Sequence, residues 1–129
     1  MQTDCQIYVK GSVEAVAFYQ KALNLTLGMT GMNEDGTYEH ASLMSDGYVV
    51  LCVAEDDMSS AEIQVGKRPV MSFNCYGLGT REAVDQAYNV LSKDARDTMG
   101  NPNGPTSWPW NEYCFSLVDK FGVYWWIAM

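Results

Sequence analysis

The chain has 129 residues, and 8 basic against 16 acidic side chains give a formal net charge of 8 − 16 = −8. With 47% hydrophobic and 19% charged residues, the composition excludes intrinsic disorder, and the length allows one domain or two small halves that share a core. The acidic balance argues against nucleic acid or an anionic membrane as a partner, because like charges repel. It permits a small-molecule ligand that is cationic or neutral.

The start of the chain, Met1-Gln2-Thr3-Asp4, has neither the basic nor the apolar region of a signal peptide. No run approaches the ~20 apolar residues that span a bilayer. We therefore expect a cytoplasmic protein. The four cysteines are widely spaced and form no C-x-x-C pair, which disfavours a zinc knuckle or a redox dithiol; they are Cys5, Cys52, Cys75 and Cys114.

An internal repeat organises the sequence. The tripeptide Glu14-Ala15-Val16 recurs 82 − 14 = 68 positions later as Glu82-Ala83-Val84. Each copy follows a strand-like segment and precedes a helical apolar stripe, and each half ends in a glycine turn before an aromatic or β-branched run. The shared order of elements, more than the short identity, indicates a duplication.

The first half reads as β-α-β-β-β. Apolar periodicity predicts a helix that begins with Ser12 as its N-cap and ends near Leu23, with Asn24 as the stop. The turn Ser45-Asp46-Gly47 predicts a hairpin between the last two strands. The predicted strands are Asp4–Val9, Leu25–Met29, Thr37–Met44 and Tyr48–Val53.

The second half repeats that order after a polar linker at Glu55–Lys67. Thr80 is the predicted N-cap of a helix whose apolar stripe runs from Ala83 to Leu91. We interpret Gly100–Trp110, with three prolines, as a long loop. The predicted strands are Val70–Tyr76, a short one near Asp97–Met99, Glu112–Val118 and Val123–Ala128. Module one thus covers about residues 1–57 and module two about 68–129.

Alternation along the first strand of each half predicts two faces. The uniformly apolar set should meet the helix: Cys5, Ile7 and Val9, then Met71, Phe73 and Cys75. The opposite face is left with Asp4, Gln6 and Tyr8, then Val70, Ser72, Asn74 and Tyr76, so both halves present polar or amphipathic groups there. This second face predicts a partly wet cavity; an ordinary solvent-exposed sheet face is the alternative.

His40, the only histidine, is predicted to share that face with Ser42. It is either a structural hydrogen-bonding residue or a catalytic base. Cys52 could line the same cavity, as an inert packed thiol or as a nucleophile that His40 would activate.

The tryptophans are concentrated near the end of the chain, and we assign Trp125 to the core. Trp110 and Trp126 could pack internally or stack on a ligand. Three consecutive carboxylates, Glu55-Asp56-Asp57, lack the spacing of a calcium loop.

Three segments carry a resemblance to a known family: Ala15–Leu23 with its Phe18-Tyr19 pair, Glu39–Leu43, and the closing Asp-x-Phe-Gly-x-x-Trp pattern at Asp119–Trp125. The chain resembles the vicinal oxygen chelate superfamily of glyoxalases, bleomycin-resistance proteins and extradiol dioxygenases, most closely its PhnB-like branch. The resemblance implies an α+β fold in which two tandem βαβββ modules form an open, incomplete barrel around a cleft. It also implies a homodimer.

Enzymes of this superfamily hold a divalent metal through four side chains, and the resemblance places those positions near Asp4, Leu51 or Cys52, Ser72 and Trp126. These residues form an incomplete ligand set, so we predict no cofactor. The alternative is a bound divalent metal.

The leading hypothesis is a PhnB-like protein that binds a small molecule in its cleft without a catalytic metal. The predicted ligand-binding residues are Gln6, Tyr8, His40, Ser42, Cys52, Ser72, Asn74, Tyr76, Trp110 and Trp126. The alternative is a metal-dependent lyase, isomerase or dioxygenase with His40 as ligand or base. A third class is a dimer with structural or regulatory partners and no closed cleft.

Overall fold

The computed structural model describes residues 4–56 and 71–129. Contacts divide the chain into two compact units, Met1–Glu62 and Ile63–Met129, which we call module one and module two. Of the predicted linker Glu55–Lys67, only the first two positions belong to the described residues.

Module one is a four-stranded mixed sheet with one helix. The strand order is β1-β4-β3-β2, with β1 parallel to β4 and the other pairs antiparallel. Helix α1 packs on β3 and β4. The elements are β1 (Gln6–Val9), α1 (Ser12–Leu23), β2 (Thr26–Met32), β3 (Tyr38–Ser45) and β4 (Tyr48–Glu55).

The N-terminus of α1 differs from the sequence prediction. Ser12 is the first helical residue rather than the N-cap, which is Gly11 with φ +90°. The carboxylate of Glu55, at the end of β4, accepts hydrogen bonds from the backbone N–H groups of Gly11 and Ser12 at 2.9 and 2.6 Å. The Ser12 hydroxyl instead accepts from the N–H of Tyr38 at 2.9 Å. The carboxylate of Glu55 therefore caps the N-terminus of α1, which the sequence had predicted for the Ser12 hydroxyl.

Module two repeats the same topology, in the order β5-β8-β7-β6, with β5 parallel to β8. The predicted N-cap of its helix is confirmed, because Thr80 Oγ1 accepts from the N–H of Ala83 at 3.2 Å. The elements are β5 (Ser72–Cys75), α2 (Arg81–Leu91), β6 (Thr106–Trp108), β7 (Asn111–Val118) and β8 (Tyr124–Ala128).

The third strand of module two lies elsewhere than predicted. Asp97 forms only an isolated bridge with Val118, whereas the short strand β6 lies inside Gly100–Trp110, the segment interpreted as a loop. β6 pairs with β7 through an irregular register. The prolines around it confine it to three residues at the sheet edge, where a missing N–H costs little.

In each module the helix and one sheet face form the core. Tyr19 of α1 is fully buried with Leu43 and Leu51 of the first sheet, and Leu91 of α2 with Phe115 and Trp125 of the second. The predicted core position of Trp125 is confirmed. The fold is α+β with two tandem βαβββ modules, as predicted. In the described parts of the chain, neither helix is long and apolar enough to cross a membrane.

Candidate small-molecule site

The sheet face of module two that faces away from α2 carries polar and aromatic side chains in register. Asn74, Trp126 and Ser116 are partners across β5, β8 and β7, and Ser72 is paired with Tyr124 one step along. The row between these two pairs points to the helix and consists of Phe73, Trp125 and Leu117. The alternation predicted for this strand therefore holds, with Ser72 and Asn74 on the open face.

These residues line a cavity of about 490 Å³ within module two. That volume lies in the range of about 300–1,000 Å³ typical of small-molecule pockets. Three of the eight lining side chains are tryptophans, and none of the eight is charged. They are Ser72, Asn74, Met99, Trp108, Trp110, Ser116, Tyr124 and Trp126.

Two of the tryptophans come from the irregular segment around β6. Trp108 and Trp110 meet edge to face, with ring centroids 5.1 Å apart, and the indole N–H of Trp108 donates to Thr106 Oγ1 at 3.0 Å. Trp110 is nevertheless 64% exposed. An indole ring presented to solvent at the rim of a cavity can stack on a flat ligand.

Buried Asn101 holds this segment against β7. Its Oδ1 accepts from the backbone N–H of Ser116 at 3.1 Å, and its Nδ2 donates to Gly104 O and Thr106 Oγ1, both at 3.2 Å. The backbone carbonyl of Asn101 also accepts from the Tyr88 hydroxyl at 2.6 Å. The asparagine side chain thus replaces backbone pairing where the register of β6 is irregular, and it fixes the segment that presents the two tryptophans.

The polar groups of the cavity are partly organised before any ligand arrives. Ser72 Oγ donates to Asn74 Oδ1 at 2.9 Å, which orients the amide and leaves its Nδ2 group as the hydrogen-bond donor toward the cavity. On the other side of Asn74, the ring of Tyr76 lies 6.4 Å from that of Trp126. Tyr76 therefore contacts a lining residue without lining the cavity itself.

Module one presents a different set of groups on its corresponding face. His40 Nδ1 lies 2.8 Å from Gln6 Oε1, and Gln6 Nε2 donates to the Tyr8 hydroxyl at 2.9 Å. Because a carbonyl oxygen can only accept, Nδ1 carries the imidazole proton and Nε2 is left as an acceptor in the neutral ring. We call these three residues the polar trio.

Ser42 and Cys52, also predicted on this face, are in register with Gln6 but are buried. The Ser42 hydroxyl accepts from the N–H of Met29 at 2.8 Å, at the point where the register of β2 shifts. Burial raises the pKa of the Cys52 thiol, with smaller contributions from Asp4 and Cys5. A thiol with a raised pKa is a poor nucleophile, which favours the inert alternative for Cys52.

The register also shows which positions the two modules share. Gln6 and Asn74 differ by 74 − 6 = 68 positions, as do Tyr8 and Tyr76, and this is the offset of the helical repeat. Ser42 and Ser116 hold matching places beside Cys52 and Trp126. The equivalence of Ser116 to Ser42 was missed in the sequence, because the two hairpins are offset by 74 positions instead of 68.

The predicted site residues thus fall into two groups, one in each module. Four of them line the cavity of module two: Ser72, Asn74, Trp110 and Trp126. Sequence reasoning missed the other four, namely Met99, Trp108, Ser116 and Tyr124. Strand alternation could have predicted Tyr124, which lies two positions before Trp126 on the same strand. The positions of Met99 and Trp108 at the cavity depend on the path of an irregular segment.

The residues at the positions implied for a divalent metal do not fit one. The indole of Trp126 offers no lone pair to an ion, and Cys52 is buried, which raises the pKa of its thiol and disfavours the thiolate that a metal binds. Among the residues that the structure describes, no three His, Cys, Asp or Glu side chains are grouped so that they could hold an ion.

Comparison with known proteins gives a consistent structural result. No family model and no curated protein matches the sequence. The PhnB protein from Bacillus cereus superimposes with a TM-score of 0.74 at 20% identity, over 99% of this chain and 98% of that one. Protein PA1353 from Pseudomonas aeruginosa gives 0.77 at 16% identity, over 99% and 96%.

The fosfomycin resistance protein FosX from Listeria monocytogenes gives a TM-score of 0.62 at 12% identity, over 99% of this chain and 89% of that one. The chain has the fold of the vicinal oxygen chelate superfamily. The resemblance drawn from the three sequence segments is thereby confirmed for the fold, with PhnB-like proteins among the superfamily structures that it matches.

Proposed function

We propose that this chain is a member of the vicinal oxygen chelate superfamily and binds a flat aromatic molecule, cationic or neutral, in the cavity of module two. The observation that carries the proposal is the set of three tryptophans around one uncharged cavity with a preorganised amide on its floor. Aromatic walls combined with few, fixed polar groups are typical of sites that recognise small organic ligands.

Stacking on Trp110 or Trp126 would supply most of the affinity. Stacking of a flat ring on an aromatic side chain contributes about 1–3 kcal/mol by alanine substitution, and a cation over an indole adds about 0.5–2 kcal/mol. The Asn74 amide would fix the orientation of the ring through a hydrogen bond.

Charge supports a cationic or neutral ligand over an anionic one. The described residues that line the cavity are uncharged, and the chain as a whole carries −8. The long-range field therefore attracts cations and repels anions, more strongly at low ionic strength.

Titration calorimetry with three flat probes tests the proposal: proflavine as the cation, acridone as the neutral ring and naphthalene-2-sulfonate as the anion. We expect saturable binding of proflavine, weaker binding of acridone and none of the sulfonate. Trp110→Ala should lower the affinity for proflavine roughly tenfold, which is equivalent to about 1.4 kcal/mol of binding free energy. Tyr48→Ala, which removes an aromatic ring 78% exposed in module one, is the matched control and should leave the affinity unchanged. Equal binding of proflavine by both variants would contradict the proposal.

We also propose that binding needs no metal. One FosX structure was obtained with Mn(II) and a sulfate ion, whereas the implied positions of this chain include Trp126 and buried Cys52. Elemental analysis of protein purified without chelator or immobilised nickel tests this part. Stoichiometric Zn, Ni, Mn or Fe would overturn it and favour the alternative of a metal-dependent lyase, isomerase or dioxygenase.

The polar trio favours a second candidate function, acid–base chemistry on the face of module one. Gln6 directs the His40 proton to Nδ1 and leaves Nε2 as a proton acceptor, the arrangement that a general base requires. If the untreated protein turns over a carbon acid or an epoxide and His40→Ala loses this activity, the protein is an enzyme. It is then not a protein that only binds its ligand.

We further propose that the protein acts in the cytoplasm as a homodimer that sequesters its ligand. An acidic binder without turnover would protect a cell by lowering the free concentration of a cationic toxin. Sedimentation at micromolar concentration tests the dimer, and a monomer at that concentration would contradict it.

A further inference from the structure

Met99 lines the cavity from a tight turn whose backbone does not suit it. The N–H of Asn101 donates to the carbonyl of Thr98 at 2.9 Å and closes a four-residue turn. Its two central residues, Met99 and Gly100, have φ values of +54° and +89°. Positive φ at both central positions is the mark of a type I′ turn, which strongly favours Asn, Asp or Gly at the first of them.

The other positions with positive φ follow that preference. Outside glycine, the described residues with such a backbone are Asn24, Asp46 and Asp94, all of the types that tolerate the left-handed conformation. Met99 is the exception. An unbranched apolar side chain at such a position carries backbone strain that asparagine would relieve.

The turn has no freedom to relax, because both flanks are pinned to the sheet. Asp97 exchanges backbone hydrogen bonds with Val118 at 2.7 and 3.2 Å, and its Oδ1 accepts from the N–H of Met99 at 2.8 Å. On the other side, the buried Asn101 side chain bonds to the backbone of Ser116. The scaffold therefore imposes the left-handed conformation on whatever residue stands at 99.

From this we infer that Met99 is a specificity-determining residue of the module-two cavity, present for the contact its side chain makes with the ligand and at the expense of stability. The inference rests on the proposed function and adds to it a flexible, polarisable wall. A thioether packs well against aromatic rings and adapts to ligands of different outline. Such a wall selects flat aromatic ligands while tolerating variation in their substituents.

The test compares Met99→Asn with Met99→Leu. Asparagine suits the turn but withdraws the apolar side chain, so we expect the melting temperature to rise by about 2–5 °C while proflavine binds roughly five- to tenfold more weakly. Leucine restores apolar volume without relieving the backbone. It should keep both the melting temperature and, within about twofold, the proflavine affinity of the wild type.

Met29→Asn is the matched control, because Met29 is 76% exposed in module one and should leave proflavine binding unchanged. Wild-type affinity in Met99→Asn would overturn the inference and leave the proposed function standing. A lower melting temperature in Met99→Asn would overturn the claim that stability is sacrificed at this position. Failure of the wild type to bind proflavine at all would overturn the proposed function, and the role of Met99 with it.

Discussion

The indole Nε1 of Trp125 donates a hydrogen bond of 2.9 Å to Oδ2 of Asp119, and both side chains are fully buried. The other carboxylate oxygen accepts from the backbone N–H groups of Phe121 and Val123 at 2.9 and 3.0 Å. One buried carboxylate thus holds both the turn and the central tryptophan of the module-two core. This explains the Asp-x-Phe-Gly-x-x-Trp pattern in structural terms.

Asp119→Asn should therefore destabilise the protein strongly. The amide keeps the shape of the carboxylate but can accept at only one of its two ends, so a buried N–H loses its acceptor. We expect a loss of roughly 2–4 kcal/mol in the free energy of unfolding, measured by urea denaturation.

Trp125→Phe provides the partner for a double-mutant cycle. If the two side chains stabilise the fold through their mutual hydrogen bond, the double variant should lose less than the sum of the single losses. Strict additivity would refute the coupling. Tyr124→Phe, one residue away, is the control that leaves this bond intact.

Glu55→Gln should weaken the N-terminus of α1. The variant loses the negative charge that faces the helix dipole and one of the two accepting oxygens. By analogy with helix caps, the free energy of unfolding should fall by about 1 kcal/mol at pH 7. Glu34→Gln, which neutralises an exposed carboxylate of the same module by the same substitution, serves as the control.

The effect of Glu55 should also depend on pH. Burial acts to raise the pKa of Glu55, but hydrogen bonds from Gly11 and Ser12 outweigh it, and the net pKa lies below the ordinary value of 4.5. The stabilisation is therefore fully present above pH 4.5 and is lost as the pH falls through the lowered pKa. The stability gap between wild type and Glu55→Gln should close in acid, and a gap that is constant from pH 7 to pH 3 would contradict this assignment.

The tautomer of His40 gives a prediction that needs no ligand. As the only histidine, it contributes a single set of imidazole resonances. Nitrogen-15 NMR should show the neutral ring protonated at Nδ1 in the wild type and a shift toward the Nε2–H form in Gln6→Ala. Tyr8→Phe should leave the tautomer unchanged, because it removes only the hydroxyl that accepts from Gln6 Nε2 and keeps the hydrogen bond between Gln6 Oε1 and His40 Nδ1. An Nε2–H wild type would disprove the hydrogen-bonding direction on which the acid–base candidate depends.

The cysteines should differ in reactivity. Cys5 is exposed, whereas burial raises the pKa of the Cys75 thiol to about 11 and also raises those of Cys52 and Cys114. Since the thiolate is the reacting species, iodoacetamide at pH 8 should label Cys5 first. Peptide mass spectrometry provides the time course, and rapid labelling of Cys75 would show that its strand opens readily.

Periodicity and turn chemistry were sufficient to predict most elements of the fold. The Asp46-Gly47 turn has the positive φ values that such a pair favours, 50° and 81°, and its hairpin forms as predicted. Helix α1 ends at Leu23 with Asn24 as its C-cap, as predicted, and Thr80 caps the N-terminus of α2, as predicted. These features are local, so their signals lie close together in the sequence.

The errors have a common cause in tertiary competition. Ser12 was predicted to cap α1, but the N–H of Tyr38 takes its hydroxyl and Glu55 supplies the cap from 43 residues away. Strand β6 lies in an irregular, proline-rich segment that the Asn101 side chain anchors to β7. Neither the contact of Glu55 with α1 nor that of Asn101 with Ser116 can be identified from the sequence around the element concerned.

The candidate site was predictable to the extent that it lies on regular strands. Ser72, Asn74 and Trp126 follow from alternation, and the structure places them on the cavity. Met99 could not be predicted, because its side chain reaches the cavity only through a left-handed turn whose usual sequence it lacks. Whether both sheets enclose one cleft stays a prediction.

The different caps of the two helices bear on how a duplicated unit assembles. Thr80 lies next to α2 in sequence, so this helix can start before any strand has paired. Helix α1 depends on Glu55, and the intervening chain must first close a long loop, with its entropic cost. The two copies of the repeat would therefore nucleate by separate routes, module two from its own helix and module one from the pairing of β1 with β4, its first and last strands in sequence.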